Sequence, residues 1–199
     1  MSANDSGSLD LIAGPMYSGK TTELLRRLFN EAEVGMRVLY VNHSLDNRSE
    51  EPYSTHNPLY KERLSDRSSV TMKTASYLKE VEVDDFDVIG IDEAQFFEDL
   101  ECVVDWVDNL RKHVIVSGLN GDAKRSSFGK ILSLEPYSDT YTKLQSYCKI
   151  CAEQKKRSLA PFTHKFSGSG EQTDVGAGDK YIPVCRSCYL KCHQDETGL

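Results

Sequence analysis

At 199 residues, with 39% hydrophobic and 28% charged residues, the chain has apolar material for one core of ordinary size and a small appendage. A formal charge of −7 argues against broad nucleic-acid binding, which needs clustered Lys and Arg to displace phosphate counterions, but it leaves room for a compact basic pocket around a small anion. No run approaches the roughly 18 to 20 apolar residues of a membrane span, and the N-terminus lacks the pattern of a signal peptide, so neither a membrane nor a nucleic-acid partner is expected and the default address is cytosolic or nuclear.

In chain order, residues 1–7 are polar and without periodicity, and are expected to be disordered. Residues 9–13 form a short apolar run that ends at a glycine loop, and beyond it Leu24, Leu25, Leu28 and Ala32 recur at helical spacing, which predicts strand, loop, helix. The loop, Gly14-Pro15-Met16-Tyr17-Ser18-Gly19-Lys20-Thr21, matches the Walker A pattern in the setting where that pattern has meaning. Its backbone N–H groups and the helix N-terminus would cradle phosphates, Lys20 would reach the β- and γ-phosphates of ATP, and Thr21 would offer its hydroxyl to Mg²⁺. A chance glycine turn opening a helix is the competing reading, and the flanking elements weigh against it. Residues 37–41, 87–92 and 114–119 read as three further short apolar strands, and Leu100, Val103, Val104, Val107 and Leu110 mark one face of a crossover helix. Runs of this kind suit a parallel sheet buried on both faces, so residues 8–144 are expected to form an α/β domain.

The third expected strand ends Ile91-Asp92-Glu93-Ala94-Gln95, which puts two carboxylates at the C-terminal edge of a parallel sheet, where ligands bind. Asp92 reads as the aspartate that orients the metal beside Thr21, and Glu93 as the candidate base next to the γ-phosphate. Two acidic residues could instead simply cap the following helix. The Asp-Glu-Ala-Gln run also resembles helicase boxes, although one domain of this length cannot supply a two-domain helicase core.

Four of the six cysteines form two Cys-x-x-Cys pairs, Cys148 with Cys151 and Cys185 with Cys188. In a reducing compartment that spacing predicts a closed structural Zn²⁺ site with four thiolates, with His193 as a weak replacement for Cys188. Cys102 reads as a core thiol. The cysteine pairs flank the Ser/Gly-rich stretch 167–179, which on composition alone is a flexible linker. Residues 145–192 are expected to form a small zinc-ribbon domain, with a disordered tail over 193–199.

Taken in this order, Gly14 to Thr21, Asp46-Asn47-Arg48, Asp92-Glu93-Ala94-Gln95-Phe96-Phe97, Gly118-Leu119-Asn120-Gly121 with Phe128-Gly129, and the cysteine pairs flanking Asp179-Lys180-Tyr181-Ile182-Pro183-Val184 resemble the zinc-containing type II thymidine kinases over nearly the whole chain. The resemblance implies a P-loop (RecA-like) parallel sheet flanked by helices, with a small zinc-ribbon and lasso domain. It implies that Glu93 accepts the proton of the thymidine 5′-hydroxyl as that oxygen attacks the γ-phosphate of MgATP. It places Asp46, Arg48, Asp92 and Gln95 with the P-loop on the nucleotide side. On the nucleoside side it places Met16, Phe96, Leu119, Phe128, Thr163, Val175, Gly176 and Tyr181, with 167–179 as a loop folding over the base. A cytoplasmic homotetramer inhibited by thymidine triphosphate is also implied, and deoxyuridine joins thymidine as an expected substrate. Three departures stand out: Ala123 at a usual phenylalanine, Ala94 at a frequent glycine, and a longer stretch from Cys151 to Thr163.

Two other functions are compatible with parts of this pattern. One is a P-loop ATPase whose zinc ribbon binds nucleic acid or a protein, against which the lasso-like loop and the lack of a basic patch argue. The other is a structural zinc module with a vestigial P-loop, disfavoured because Lys20, Thr21, Asp92 and Glu93 are all present.

Overall fold

A computed structural model of the chain describes residues 6–46, 70–166 and 180–197. Its centre is a six-stranded sheet of β1 (Ser8–Gly14), β2 (Val38–His43), β3 (Val70–Ala75), β4 (Val88–Ile91), β5 (His113–Leu119) and β6 (Thr140–Lys143), in the order β3-β2-β4-β5-β1-β6. Every pairing in it is parallel. The inner strands β2 and β4 are buried at every residue, as expected of a sheet covered on both faces.

Alternate residues of these strands feed two separate cores. On one face Ile12, Tyr40, Val88 and Ile115 meet Leu24, Leu25, Leu28 and Phe29 of α1 (Lys20–Glu33). On the other, Leu11, Leu39, Ile89, Ile91 and Val116 meet Val103, Trp106 and Val107 of α2 (Cys102–Asp108), together with Phe97 and Ile131 from neighbouring turns. Cys102 packs partly buried against this second core, and its burial pushes the thiol up to about 12, consistent with an inert core cysteine.

The sequence pattern predicts four strands where the sheet has six. Both additions are edge strands, which need only one apolar face or none: β3 is buried only at Val70 and exposed at Thr71 and Thr74, and β6 (Thr-Tyr-Thr-Lys) has no fully buried residue. The expected crossover helix over 100–110 is shorter, at Cys102–Asp108.

The remainder of the described chain is built from β7 (Ser146–Tyr147), α3 (Lys149–Glu153), β8 (Leu159–Ala160), β9 (Phe162–Lys165), β10 (Tyr181–Val184) and α4 (Arg186–Thr197). β7 pairs with β8 and β9 with β10, both antiparallel. Its core is small, Cys148, Ala160, Val184 and Tyr189. One expectation is corrected: α4 continues to Thr197, so the tail expected to be disordered from His193 onward is helical over 193–197. Tyr189 and His193, one turn apart, hold this helix together through a 2.6 Å contact between the phenol oxygen and the imidazole Nε2. Among the described residues no helix is long and apolar enough to cross a membrane.

A polar cluster ties α1 to β1, β5 and β6. Arg27 donates to Asp10 at 3.0 Å and to Thr142 at 3.0 Å, and Thr140 donates to Asp10 at 2.6 Å. The His113 imidazole, at an ion-pair distance of 3.6 Å, is the largest of the influences that hold the Asp10 carboxyl at about 2, with Thr140 and Arg27 acting in the same direction against burial. A depressed carboxylate stabilises the fold above its unfolded pKa and loses that contribution as pH falls through the folded value. Asp10→Asn should therefore cost about 1 kcal/mol at pH 7, and the deficit should shrink between about pH 4 and pH 2, as read by urea denaturation across that range.

Candidate active site

The loop between β1 and α1 turns through two left-handed residues, Tyr17 at φ 61° and Gly19 at φ 81°. That backbone is native to glycine and strained for tyrosine, and successive turns of this kind aim backbone N–H groups into one concavity. The Ser18 hydroxyl and the Lys20 ammonium both donate to the Pro15 carbonyl, each at 2.9 Å, which fixes the loop from within.

Asp92 follows the last residue of β4 and is 2% exposed. Its Oδ1 accepts the Glu93 N–H at 3.0 Å and its Oδ2 accepts the Tyr40 hydroxyl at 3.1 Å, and the nearby Thr21 side chain also favours the charged carboxylate. Burial, followed by the nearby Glu93 charge, raises Asp92 to about 6 in spite of these donors. Thr21, which the sequence-based reading sets next to Asp92, lies close enough to influence it, and Tyr40 is an addition. A phenol in the otherwise aliphatic run Val38-Leu39-Tyr40-Val41 was the available signal.

Glu93 sits at φ 50°, ψ 39°, a left-handed conformation uncommon for glutamate and of the kind that clusters at functional sites. It is 7% exposed, and its Oε2 accepts Gln95 Nε2 at 2.6 Å. The other end of that amide, Oε1, accepts the Leu119 N–H at 2.9 Å. Gln95, expected on the nucleotide side, has both ends of its amide engaged, joining Glu93 to the end of β5. Gly129 makes this possible: at φ 59° it lies so close to Gln95 that a Cβ would overlap the Gln95 carbonyl.

Aromatic walls stand beside Glu93. Phe96 and Phe128 meet edge to face at 5.8 Å between ring centroids. His43, which the sequence did not single out, packs against Phe97 at 4.5 Å and Phe96 at 5.7 Å, and its Nδ1 accepts the Leu45 N–H at 3.0 Å. Burial lowers its imidazole, favouring the neutral form that can accept. The same turn carries Asp46, whose N–H donates to the His43 carbonyl at 3.0 Å and whose carboxylate accepts Asn42 Nδ2 at 3.1 Å. Met16 and Leu119 are half-buried.

The second unit reaches this site directly. Thr163 in β9 accepts the Met16 N–H on its hydroxyl at 3.0 Å, joining β9 to the loop between β1 and α1 across 147 residues of sequence. Tyr181 in β10 is in register with Lys165 of β9, whose ammonium lies 5.5 Å from the Tyr181 ring centre. A second link is the Tyr189 hydroxyl, which donates to the Ala123 carbonyl at 2.9 Å, while the Arg125 guanidinium lies 4.3 Å from the Tyr189 ring centre. Arg48, Val175, Gly176 and the stretch 167–179 lie outside the described residues.

The sulfur atoms of Cys148, Cys151, Cys185 and Cys188 all lie within 4.8 Å of one another, with Cys151 3.8 Å from Cys185 and 3.6 Å from Cys188. A tetrahedral zinc with Zn–S bonds of about 2.3 Å requires sulfurs about 3.8 Å apart, close to the two separations from Cys151, so this group could bind zinc. His193 is committed to Tyr189 through Nε2 and is absent from the four-cysteine cluster, so it does not replace Cys188.

The comparisons with known proteins point the same way. A family model described as thymidine kinase matches residues 7–189. The chain is 38% identical over 186 residues to a thymidine kinase of Amsacta moorei entomopoxvirus, covering 92% of this chain and 97% of that protein. It is 39% identical over 196 residues to thymidine kinase a of Arabidopsis thaliana, covering 94% of this chain and 77% of that one. It is 35% identical over 187 residues to the cytosolic thymidine kinase of Cricetulus griseus, covering 93% and 74%. With a family model spanning most of its length and relatives of this identity, the chain belongs to the thymidine kinase family.

Proposed function

We propose that this chain transfers the γ-phosphoryl group of ATP to the 5′-hydroxyl of thymidine, giving thymidine monophosphate and ADP, and that Glu93 is the base. The observation that carries this reading is the placement of Glu93: a buried carboxylate at the C-terminal edge of the sheet, oriented by Gln95, one residue after Asp92 and beside the Phe96–Phe128 pair. A hydroxyl held against those rings would give its proton to Glu93 as its oxygen attacks phosphorus, and ADP leaves from the opposite side.

Gly14, Pro15, Met16, Tyr17, Ser18, Gly19, Lys20 and Thr21 hold the phosphates in this reading. Lys20 exchanges the Pro15 carbonyl for phosphate oxygens. Asp92 and the Thr21 hydroxyl form an oxygen donor set suited to a hard cation, and Mg²⁺ bound there would neutralise charge on the β- and γ-phosphates. Asp46 and Arg48 belong to the phosphate side. Met16, Phe96, Leu119, Phe128, Thr163, Val175, Gly176 and Tyr181 surround the nucleoside, with the base held under the stretch 167–179. Ala123 leaves that pocket one aromatic wall short of the family pattern.

Deoxyuridine differs from thymidine by one methyl group, worth about 1–3 kcal/mol in an apolar pocket, so it is a weaker substrate of the same site. The resemblance to the cytosolic-type enzymes supports a cytoplasmic homotetramer with thymidine triphosphate as feedback inhibitor, and Zn²⁺ on Cys148, Cys151, Cys185 and Cys188 as a structural ion.

ATP consumption with Mg²⁺ should depend on added thymidine, be lower with deoxyuridine and be near zero without nucleoside; equal hydrolysis in all cases would mark an ATPase and overturn the proposal. Glu93→Gln should lower kcat by at least about a hundredfold while ATP still binds, because it removes the base and leaves the metal-side oxygens in place. Near-normal turnover would dismiss Glu93. Cys185→Ser should lose both bound zinc and folded protein, read by metal analysis and limited proteolysis, since the core of that unit is small and metal binding is coupled to its folding. One zinc per chain retained by that variant would refute the four-thiolate site.

A further inference from the structure

Tyr40 lies in the middle of β2 and is fully buried on the α1 face of the sheet, among Leu24, Leu25, Leu28, Val38 and Val88. An aliphatic residue would fill this position without a hydroxyl, and a buried hydroxyl is costly unless it is hydrogen-bonded. The phenol donates to Asp92 Oδ2 at 3.1 Å.

The two hydrogen-bond donors to Asp92 come from two elements, and a third element brings Thr21 near it. The Glu93 N–H belongs to the turn after β4, the Thr21 hydroxyl to α1, and the Tyr40 hydroxyl to β2. The Glu93 N–H holds Oδ1 and the Tyr40 hydroxyl holds Oδ2, so together they fix the rotation of the carboxylate about its last bond. A carboxylate fixed in this way presents its remaining lone pairs in set directions to a further ligand.

We infer that Tyr40 is a positioning residue for the nucleotide-bound cation, acting through Asp92 and touching neither nucleotide nor nucleoside. The inference rests on the reading of Asp92 and Thr21 as the cation side of the site. Outer groups that orient metal ligands typically matter by tenfold or more in metal affinity. Removing the phenol oxygen should therefore weaken cation binding while leaving the loop and the nucleoside pocket as they were.

The test uses the full chain with Tyr40→Phe, which keeps the ring and removes the oxygen, and Tyr40→Leu, which removes both. Binding of Mn²⁺ in the presence of ADP is followed by electron paramagnetic resonance, and binding of ADP in EDTA and of thymidine by calorimetry. Tyr40→Phe should raise the Mn²⁺ dissociation constant about tenfold, Tyr40→Leu should show the same metal deficit, and thymidine binding and metal-free ADP binding should be unchanged in Tyr40→Phe. If Tyr40→Phe binds Mn²⁺ like the wild type and only Tyr40→Leu is impaired, Tyr40 merely packs and the inference fails. Equal losses of Mn²⁺, metal-free ADP and thymidine binding in Tyr40→Phe would likewise overturn it, as general damage. Absence of ADP-dependent Mn²⁺ binding in the wild type would remove the Asp92–Thr21 cation site itself, and the inference with it, whereas Glu93-dependent thymidine phosphorylation would be judged separately by turnover.

Discussion

A carboxylate withdrawn from water beside a second carboxylate is the constraint on which this structure turns. Asp92 is 2% exposed and its neighbour Glu93 7%, in a protein of net charge −7, and burial with that neighbouring charge raises Asp92 to about 6. Such a group persists only where the surrounding elements supply donors. Here a strand and a turn each contribute one, and both must arrive at the end of β4 together. Parallel pairing achieves this, because β2, β4 and the loop feeding α1 all leave the sheet at its C-terminal edge.

The next residue shows how the same edge turns strain into position. Glu93 takes a left-handed backbone that glutamate seldom adopts, and the surrounding contacts hold it there. Gln95 clasps its carboxylate and the Leu119 amide at once, and Gly129 permits the approach by carrying no side chain. The result is a carboxylate whose direction is fixed by neighbours on β5 and the loop beyond it. Groups aimed in advance need no reorganisation at the moment of reaction, which is the chief advantage a phosphoryl-transfer site can have.

The four-cysteine unit is joined to this edge by two hydrogen bonds of different reach. Thr163 meets the loop between β1 and α1 at Met16, and Tyr189 meets the loop after β5 at Ala123. Tyr189 also belongs to the small core around the cysteines, so the order of that core and the position of the loop are linked through one side chain. A structural metal would hold the pair β9–β10 in place and with it Thr163 and Tyr181.

What could be read from the chain alone was whatever depends on local spacing. The phosphate loop, the Asp92-Glu93 pair at a strand end, the two Cys-x-x-Cys pairs and the buried inner strands are all patterns confined to a few neighbouring residues, and each sits where it was expected. What needed the folded chain was everything set by non-local approach. The polar edge strand β6 is a strand only because β1 lies beside it, and α4 extends to Thr197 in a stretch whose composition alone reads as a tail. Tyr40, His43 and Gln95 take their roles from partners on other elements, and the Met16–Thr163 contact spans 147 residues. Periodicity records which face a residue presents, but not what it meets there, because that partner is chosen by the packing of the whole sheet.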